Sequence, residues 1–256
     1  MKSIPKISII TPSLNQVSFI EETILSVLSQ KYPNLEYLVI DGGSTDGTLD
    51  TLKKYSDRLT WISEKDSGQS SAINKGLRMA TGDVVAFLNS DDLYEQGTLA
   101  MVGDYFARHE NAFWLTGYCL NIDQNGHEIR SFIRDYKNFW LRWNHYQVLK
   151  VLNFISQPST FWRRSTMSEV GFLDESLHYT MDYDYWLRLG RKFPLHVIRK
   201  NLSRFRLHEQ SKSGTTYHDQ FDEELRVAKK YFRGLPIFLH FIHQYLSSKV
   251  YQIMQR

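Results

Sequence analysis

Three observations in this 256-residue chain predict an α/β fold with a mostly parallel sheet flanked by helices. Short apolar runs alternate with amphipathic stretches through the first hundred residues, and the loops between them are short. Two of those runs end abruptly in carboxylates, at Asp41 and at Asp91-Asp92. Parallel strands require crossover connections, usually helices, so strict strand–helix alternation implies a sheet covered on both faces. Buried strands do not tolerate unpaired carboxylates, so acidic residues at strand ends belong in the crevice beyond the sheet edge, where α/β proteins bind ligands.

Each element follows from its residues. Ile7–Thr11 reads as a buried strand ended by Pro12, and Ser18-x-x-Glu21 has the capping-box pattern before Ile20, Ile24, Val27 and Leu28 at helical spacing. Tyr37–Ile40 is a second strand that ends at Asp41. Gly42–Gly47 is a turn in which Ser44, Thr45 or Asp46 can cap the helix carrying Leu49 and Leu52. A third strand spans Thr60–Ser63, a helix runs over Ser70–Met79, and Gly82 leads into a fourth strand over 83–88. Beyond residue 100 the alternation loosens. A helix near Thr98–Arg108, a strand near Phe113–Tyr118 and a hairpin turn at Asn125-Gly126 are expected. The tail from Leu235 to Arg256 places Ile237, Phe238, Phe241, Ile242, Tyr245, Leu246 and Val250 on one helical stripe.

Composition narrows the classes. Hydrophobic residues at 42% and charged residues at 23% describe an ordinary globular chain rather than a disordered one. The single cysteine, Cys119, excludes an internal disulfide framework and a cysteine-based zinc cluster, and it suits a reduced cytoplasmic setting. Met1–Lys6 has no apolar core or cleavage site of a secretion signal, and no apolar run is long enough to span a bilayer. The net charge of +3 conceals an asymmetry: residues 1–100 hold 9 Lys+Arg against 13 Asp+Glu, so the excess of basic residues lies in the remainder. An acidic half holding a metal beside a basic half meeting an anionic acceptor or membrane gives this distribution, and so does an ordinary solvated surface.

The two acidic strand ends can converge on one sheet edge, although they lie about 50 residues apart in sequence. A divalent cation carrying a phosphorylated ligand is the simplest partner for such carboxylates, because hard oxygen ligands suit Mg²⁺ or Mn²⁺. The alternative is a loop whose aspartates cap the next helix. Neither a Gly-x-Gly-x-x-Gly loop nor a Gly-Lys-Ser/Thr phosphate loop is present, which removes the usual modes of NAD and ATP binding.

Several motifs in order carry a family resemblance: Ile9–Asn15, Val39–Thr48, Ser63–Gln69, Phe87–Asp92, Gly171–Glu175, Met181–Leu189 and Arg206–Ser213. Together they resemble a family 2 glycosyltransferase of GT-A, Rossmann-like fold, in its Asn-Ser-Asp-Asp form. The resemblance covers roughly residues 6–213. It implies a glycosyltransferase domain over 1–215, with a nucleotide-binding half at about 1–100 and an acceptor half at about 101–215; beyond it, the helical stripe of the tail reads as a C-terminal helical extension over 216–256.

The resemblance also implies roles. Thr11, Pro12 and Asn15 would border the donor nucleotide, with Asn89 and Ser90 alongside. Asp41 would bond the uracil-type base, and Asp66 would line the base or ribose pocket. Asp91 would be the metal ligand of the Asp-x-Asp motif, holding Mn²⁺ or Mg²⁺ against the diphosphate, with His208 in support. Asp182 would be the catalytic base of an inverting, single-displacement transfer. Its alternative is a first-turn cap on an amphipathic helix in which Asp184 and Arg188 form a surface ion pair. Gln157 and Trp162 fall in a segment that can approach the acceptor, although packing is the plainer use of Phe161 and Trp162.

Two departures from the family pattern stand out. Asn89 replaces the first Asp of Asp-x-Asp, which removes one negative charge from the metal site, and Met181 replaces a glutamate beside the base. The expected partners are a nucleotide-sugar donor, most simply UDP-linked, and a sugar or lipid-linked sugar acceptor, in polysaccharide or glycolipid assembly. The tail helix could add peripheral contact at the inner face of a membrane. A noncatalytic nucleotide-sugar-binding protein of the same fold would keep the donor residues without turnover. A nucleic-acid-binding module, suggested by the basic and aromatic stretch after residue 130, leaves Asp41, Asp91 and Asp182 without a role, so no nucleic acid is expected.

Overall fold

The computed structural model describes residues 4–209 and 217–254. Eight strands form one sheet in the order β3-β2-β1-β4-β7-β6-β8-β5. The first four, β1 (Ile7–Ser13), β2 (Leu35–Asp41), β3 (Thr60–Ser63) and β4 (Val84–Phe87), pair in parallel. Their crossovers are α1 (Ile20–Leu28), α2 (Thr48–Lys54) and α3 (Gln69–Met79).

The other half of the sheet is mixed. β7 (Thr160–Arg163) runs antiparallel to β4 and to β6 (Trp114–Ile122), whereas β8 (Leu195–Arg206) is parallel to β6. The short edge strand β5 (Leu93–Tyr94) returns antiparallel to β8. Parallel pairing therefore holds throughout β1–β4 and again between β6 and β8, so the sheet is mostly parallel as expected, with antiparallel pairings introduced by β7 and β5.

Two cores lie on the two faces, and the strands divide their side chains between them by the period of two. Ile10, Val85 and Phe87 face a core shared with α3 and with α8 (Met181–Lys192), whereas Ile9, Val84 and Ala86 face one shared with α1 and α4 (Thr98–Arg108). Each such side chain, removed from water, contributes roughly 1.5–3 kcal/mol. Because one strand serves both cores, it reads as a continuous apolar run.

Two local expectations change. Ser18 does not cap α1: the helix begins at Ile20 with no side-chain cap, and the amides of Phe19 and Ile20 bond to the Gln16 carbonyl instead. Asp184 and Arg188 are not a surface pair. Asp184 is 1% exposed, its Oδ2 lies 2.8 Å from Arg188, and its Oδ1 accepts a 2.5 Å bond from Tyr231.

Tyr231 belongs to the C-terminal helical extension. After α5 (Ser131–Leu141), α6 (Tyr146–Leu149) and α7 (Met167–Val170), the chain builds α8 and β8 and then adds α9 (Tyr217–Tyr231) and α10 (Leu235–Met254). The last of these helices is inside out. His240 and Gln244 are buried, whereas Phe238, Phe241, Ile242, Tyr245, Leu246 and Val250 are exposed. Of the expected apolar stripe, Ile237 packs against the core, and the other six side chains face away from it. Arg256 lies outside the described residues.

Candidate active site

A cavity of about 490 Å³ opens where β1 and β4 end, lined on one side by Pro12, Asp66, Asn89, Ser90 and Asp91 and elsewhere by Gln157, His178, Tyr179 and Asp182. β1 and β4 are neighbouring parallel strands, so their carboxyl ends emerge together and carry Pro12 and Asn89–Asp91 to one edge.

The two consecutive aspartates have separate tasks. Asp92 is fully buried; its Oδ1 accepts the Arg206 amide at 2.9 Å and its Oδ2 accepts a 3.3 Å bond from Asn89. Burial and the neighbouring Asp91 charge raise its pKa well above the usual carboxylate range. Asp91 faces the cavity and places Oδ2 3.0 Å from His208 Nε2. Arg206 secures this corner. Its guanidinium is 1% exposed, donates to the Asp91 carbonyl at 2.9 Å and to Gln124 at 3.0 Å, and pairs with Glu22 at 2.6 Å.

Among the described residues no group of three or more His, Cys, Asp or Glu forms a ready-made metal cage. One carboxylate with a neighbouring imidazole nevertheless fits a cation that takes its remaining ligands from a diphosphate, which is how Mg²⁺ is commonly held. Asn89 is tied into this corner: its Oδ1 accepts from Gln69 at 2.8 Å, and its amide nitrogen also reaches Gln157 at 3.4 Å. Gln157 in turn donates to the Phe87 carbonyl at 2.6 Å.

Asp41 does not line the cavity. It is fully buried, and its two oxygens accept bonds from the amides of Gly43 and Ser44 and the hydroxyls of Ser44 and Ser63, at 2.5–3.0 Å. In this structure the carboxylate organises the turn after β2 and ties it to Ser63 of β3. Thr11 is buried against the Tyr37 hydroxyl at 3.1 Å, behind the wall formed by Pro12. Asn15, in the loop after β1, reaches the turn after β2, with its Oδ1 accepting the Thr45 amide at 2.9 Å. Asp66 does reach the cavity, and it sits over Gly42 so closely that a Cβ there would lie 2.9 Å from its carboxylate.

Of the two readings of Trp162, packing holds and the approach to the acceptor does not. It is completely buried, paired across β4 with Val85, and stacked edge-on against Trp186 at 5.6 Å. The two-residue alternation that sends Trp162 inward follows from its strand, which the motif alone did not indicate.

Asp182 lines the cavity from the first turn of α8, and its Oδ1 accepts the Tyr183 amide at 2.7 Å. Burial is the main cause of its raised pKa; the Tyr183 amide and Lys137 pull the other way, and Glu223 adds a small push upward. Lys137, from α5, also lines the cavity, with its own pKa lowered by burial despite the nearby carboxylates.

Sequence reasoning gave no role to Lys137, Arg130, His178 or Tyr179, all of which face this cavity. Lys137 stood in an aromatic and basic stretch with no spacing signal. Arg206 was part of a recognised motif, and its arginine beside the later histidine was the available clue.

The chain matches the family model described as Glycosyl transferase family 2 over residues 8–170. It is 40% identical over 133 residues to a putative teichuronic acid biosynthesis glycosyltransferase, TuaG, of Bacillus subtilis, covering 50% of this chain and 52% of that one. Across the first curated relatives it matches, the chain spans between 37% and 67% of their length. The fold is similar to S. aureus TarS 1-349 in complex with UDP-GlcNAc, with a TM-score of 0.69 and 20% identity over 88% of this chain and 66% of that one. It is similar also to the mannosyltransferase PcManGT of Pyrobaculum calidifontis in complex with GDP-Man and Mn²⁺, with a TM-score of 0.71 and 19% identity over 94% and 69% of the two chains. These folds are of the GT-A type, and with the family match covering well over half of its length, the chain belongs to glycosyltransferase family 2.

Proposed function

We propose that this protein is an inverting hexosyltransferase that moves a sugar from a UDP-linked donor to an acceptor hydroxyl. The observation that carries the reading is one cavity lined by both Asp91, beside His208, and Asp182. Asp182 would take the proton of the acceptor hydroxyl as that oxygen bonds to the anomeric carbon. The bond from that carbon to the diphosphate breaks in the same step, and its electron pair leaves with the nucleoside diphosphate. Asp91 and His208 would hold a Mn²⁺ or Mg²⁺ ion, whose charge stabilises the departing diphosphate when bound. Pro12, Asp66, Asn89 and Ser90 would border the nucleotide, and Gln157 would approach the acceptor. Asp41, Thr11 and Asn15 support that site from behind by fixing its turns.

The choice of UDP follows TarS, whose complexes hold UDP-GlcNAc and UDP, while PcManGT with GDP-Man and Mn²⁺ supports the divalent cation. The name of the TuaG relative, a putative teichuronic acid biosynthesis glycosyltransferase, supports a role in polysaccharide assembly. Calorimetric titration of UDP with and without Mn²⁺, on the native protein and on Asp91→Ala, tests the donor site. Binding that needs the metal and disappears in the variant is expected. Equal UDP binding by Asp91→Ala would remove the metal assignment.

The outward apolar face of α10 favours peripheral contact with an anionic lipid surface. Residues 225–256 contain no Asp or Glu but include Arg226, Lys229, Lys230, Arg233 and Lys249. Exposed Phe132, Phe139 and Trp143 add to the apolar surface, and α5 is joined to α10 through Tyr136 and His243 at 2.8 Å. Interfacial helices bind through such a combination of apolar area and positive charge. Flotation with vesicles of phosphatidylcholine, with and without phosphatidylglycerol, should recover the protein on the anionic vesicles only. A monodisperse dimer that ignores both vesicle types would instead assign the face to a second copy.

A further inference from the structure

The residues before Asp182 are held by a carboxylate from outside the sheet. Glu223, on α9, is 3% exposed. Its Oε2 accepts the His178 amide at 3.0 Å, and its Oε1 accepts the Tyr179 amide at 2.7 Å, the Thr180 amide at 2.8 Å and the Thr180 hydroxyl at 2.9 Å. Thr180 is the residue from which α8 starts, and it makes no side-chain cap bond to its own helix. The hydroxyl that would ordinarily cap α8 donates instead to Glu223. Three consecutive amides converging on one buried carboxylate define the backbone path tightly, since each is charge-assisted and the alternative is an unsatisfied buried group. The segment so defined includes His178 and Tyr179, which line the cavity, and leads directly into Met181 and Asp182, which line it too.

We propose that Glu223 is a positioning residue for the transfer reaction, a clamp by which the C-terminal extension holds the Asp182 turn in register with the donor site. The proposal rests on the reading of Asp182 as the base. It makes α9 part of the catalytic apparatus, although that helix lies beyond the residues matched by the family model. The charged neighbourhood is compact. Asp182 comes from α8, Lys137 from α5, and Glu223 and Glu224 from α9; His240 of α10 stands 3.8 Å behind Glu224, and Arg226 lies 3.9 Å from Glu223 on its solvent side. Glu223 carries negative charge here, because its bonds to the 178–180 turn outweigh burial and lower its pKa.

The test compares Glu223→Gln and Glu223→Asp with the native protein. Turnover is followed as UDP release with whichever UDP-sugar the native protein uses fastest, and UDP affinity is measured separately by calorimetry. Glutamine puts an N–H among donors, and aspartate is one methylene too short. Both variants should lose about 10- to 100-fold in kcat, the scale expected when a reacting group is slightly misplaced. KM for the donor and UDP affinity should stay within about twofold, because the clamp supports only the Asp182 side of the cavity. In Glu223→Gln the acid limb of kcat should also move to lower pH, since a like charge near Asp182 is gone.

Amide exchange of the 178–183 segment, which needs no substrate, should accelerate in both variants. Native kcat and native exchange in Glu223→Gln would overturn the clamp, as would loss of UDP binding together with kcat. If Glu223→Gln fails to fold, Glu223→Asp decides on the same readouts. Native turnover by Asp182→Asn would overturn the base assignment itself, and the exchange measurement would still decide whether Glu223 holds the turn.

Discussion

Replacing Glu224 by glutamine should stabilise the protein by an amount that grows as pH rises from about 4.5 to about 8. Glu224 is 6% exposed on α9. Burial and then the negative charge of Asp182 raise its pKa from 4.5 to about 8, with Lys137 offsetting part of the rise. In the unfolded chain the group titrates near its ordinary value. Below pH 4.5 both states hold the proton and no penalty exists. As pH rises from 4.5 toward 8, the unfolded state has released a proton that the folded state keeps, so stability falls with pH across that window and then stays reduced. The window spans about 3.5 pH units at about 1.4 kcal/mol each, so Glu224 costs up to about 5 kcal/mol at pH 8.5.

Glutamine has the shape of the protonated acid and never ionises. Urea unfolding followed by tryptophan fluorescence should place Glu224→Gln about 3–5 kcal/mol above the native protein at pH 8.5, and within about 1 kcal/mol at pH 5. Titrating groups not coupled to Glu224 are common to both chains and cancel in that comparison, which leaves Asp182 and Lys137 as the partners whose titration the variant also changes. A variant no more stable than the native protein at pH 8.5, or equally stabilised at both pH values, would refute the reasoning.

Two further outcomes follow from the site. Asp182→Asn should lower kcat by about 10²- to 10⁴-fold while UDP affinity is retained. In the native enzyme a buried base that must be ionised gives a rate that climbs with pH through its raised pKa, so the acid limb of kcat should lie above the titration of an ordinary aspartate, and Asp182→Asn should lose that limb. Trp162→Ala should destabilise by about 3–5 kcal/mol in urea unfolding. At temperatures where it remains folded, its KM for the acceptor should match the native value, and a selective rise in that KM would return Trp162 to the acceptor site.

The parallel half of the fold was readable because its signals are local. Apolar runs of strand length, helical spacing after them and glycine-rich turns occur within a few residues of one another, and Thr60–Ser63 is found as a strand with those same bounds. The mixed half was readable only in pieces: the helix Thr98–Arg108, the start of β6 and the turn at Asn125-Gly126 stand where expected, but the pairing of the strands did not show. β7, β6 and β8 pair over long separations, and the two-residue strand β5 is too short to leave a pattern. The same division holds at the site. Asp91, Asp66 and Asp182 announced themselves through motif and strand end, and all three line one cavity. Asp41 has the same motif signal, yet the structure buries its carboxylate and bonds it to its own turn and to Ser63, because nothing in a sequence reveals which donors a carboxylate will meet.

By itself the sequence determined that this is an α/β chain with acidic strand ends on one sheet edge, because side-chain period and turn chemistry are properties of neighbouring residues. Tertiary structure alone decided that Trp162 is core, that Asp92 is buried behind Asp91, and that Glu223 reaches from the last segment of the chain to hold the turn before Asp182. Those outcomes depend on burial and on which distant donor meets which acceptor, quantities that exist only once the chain has closed on itself.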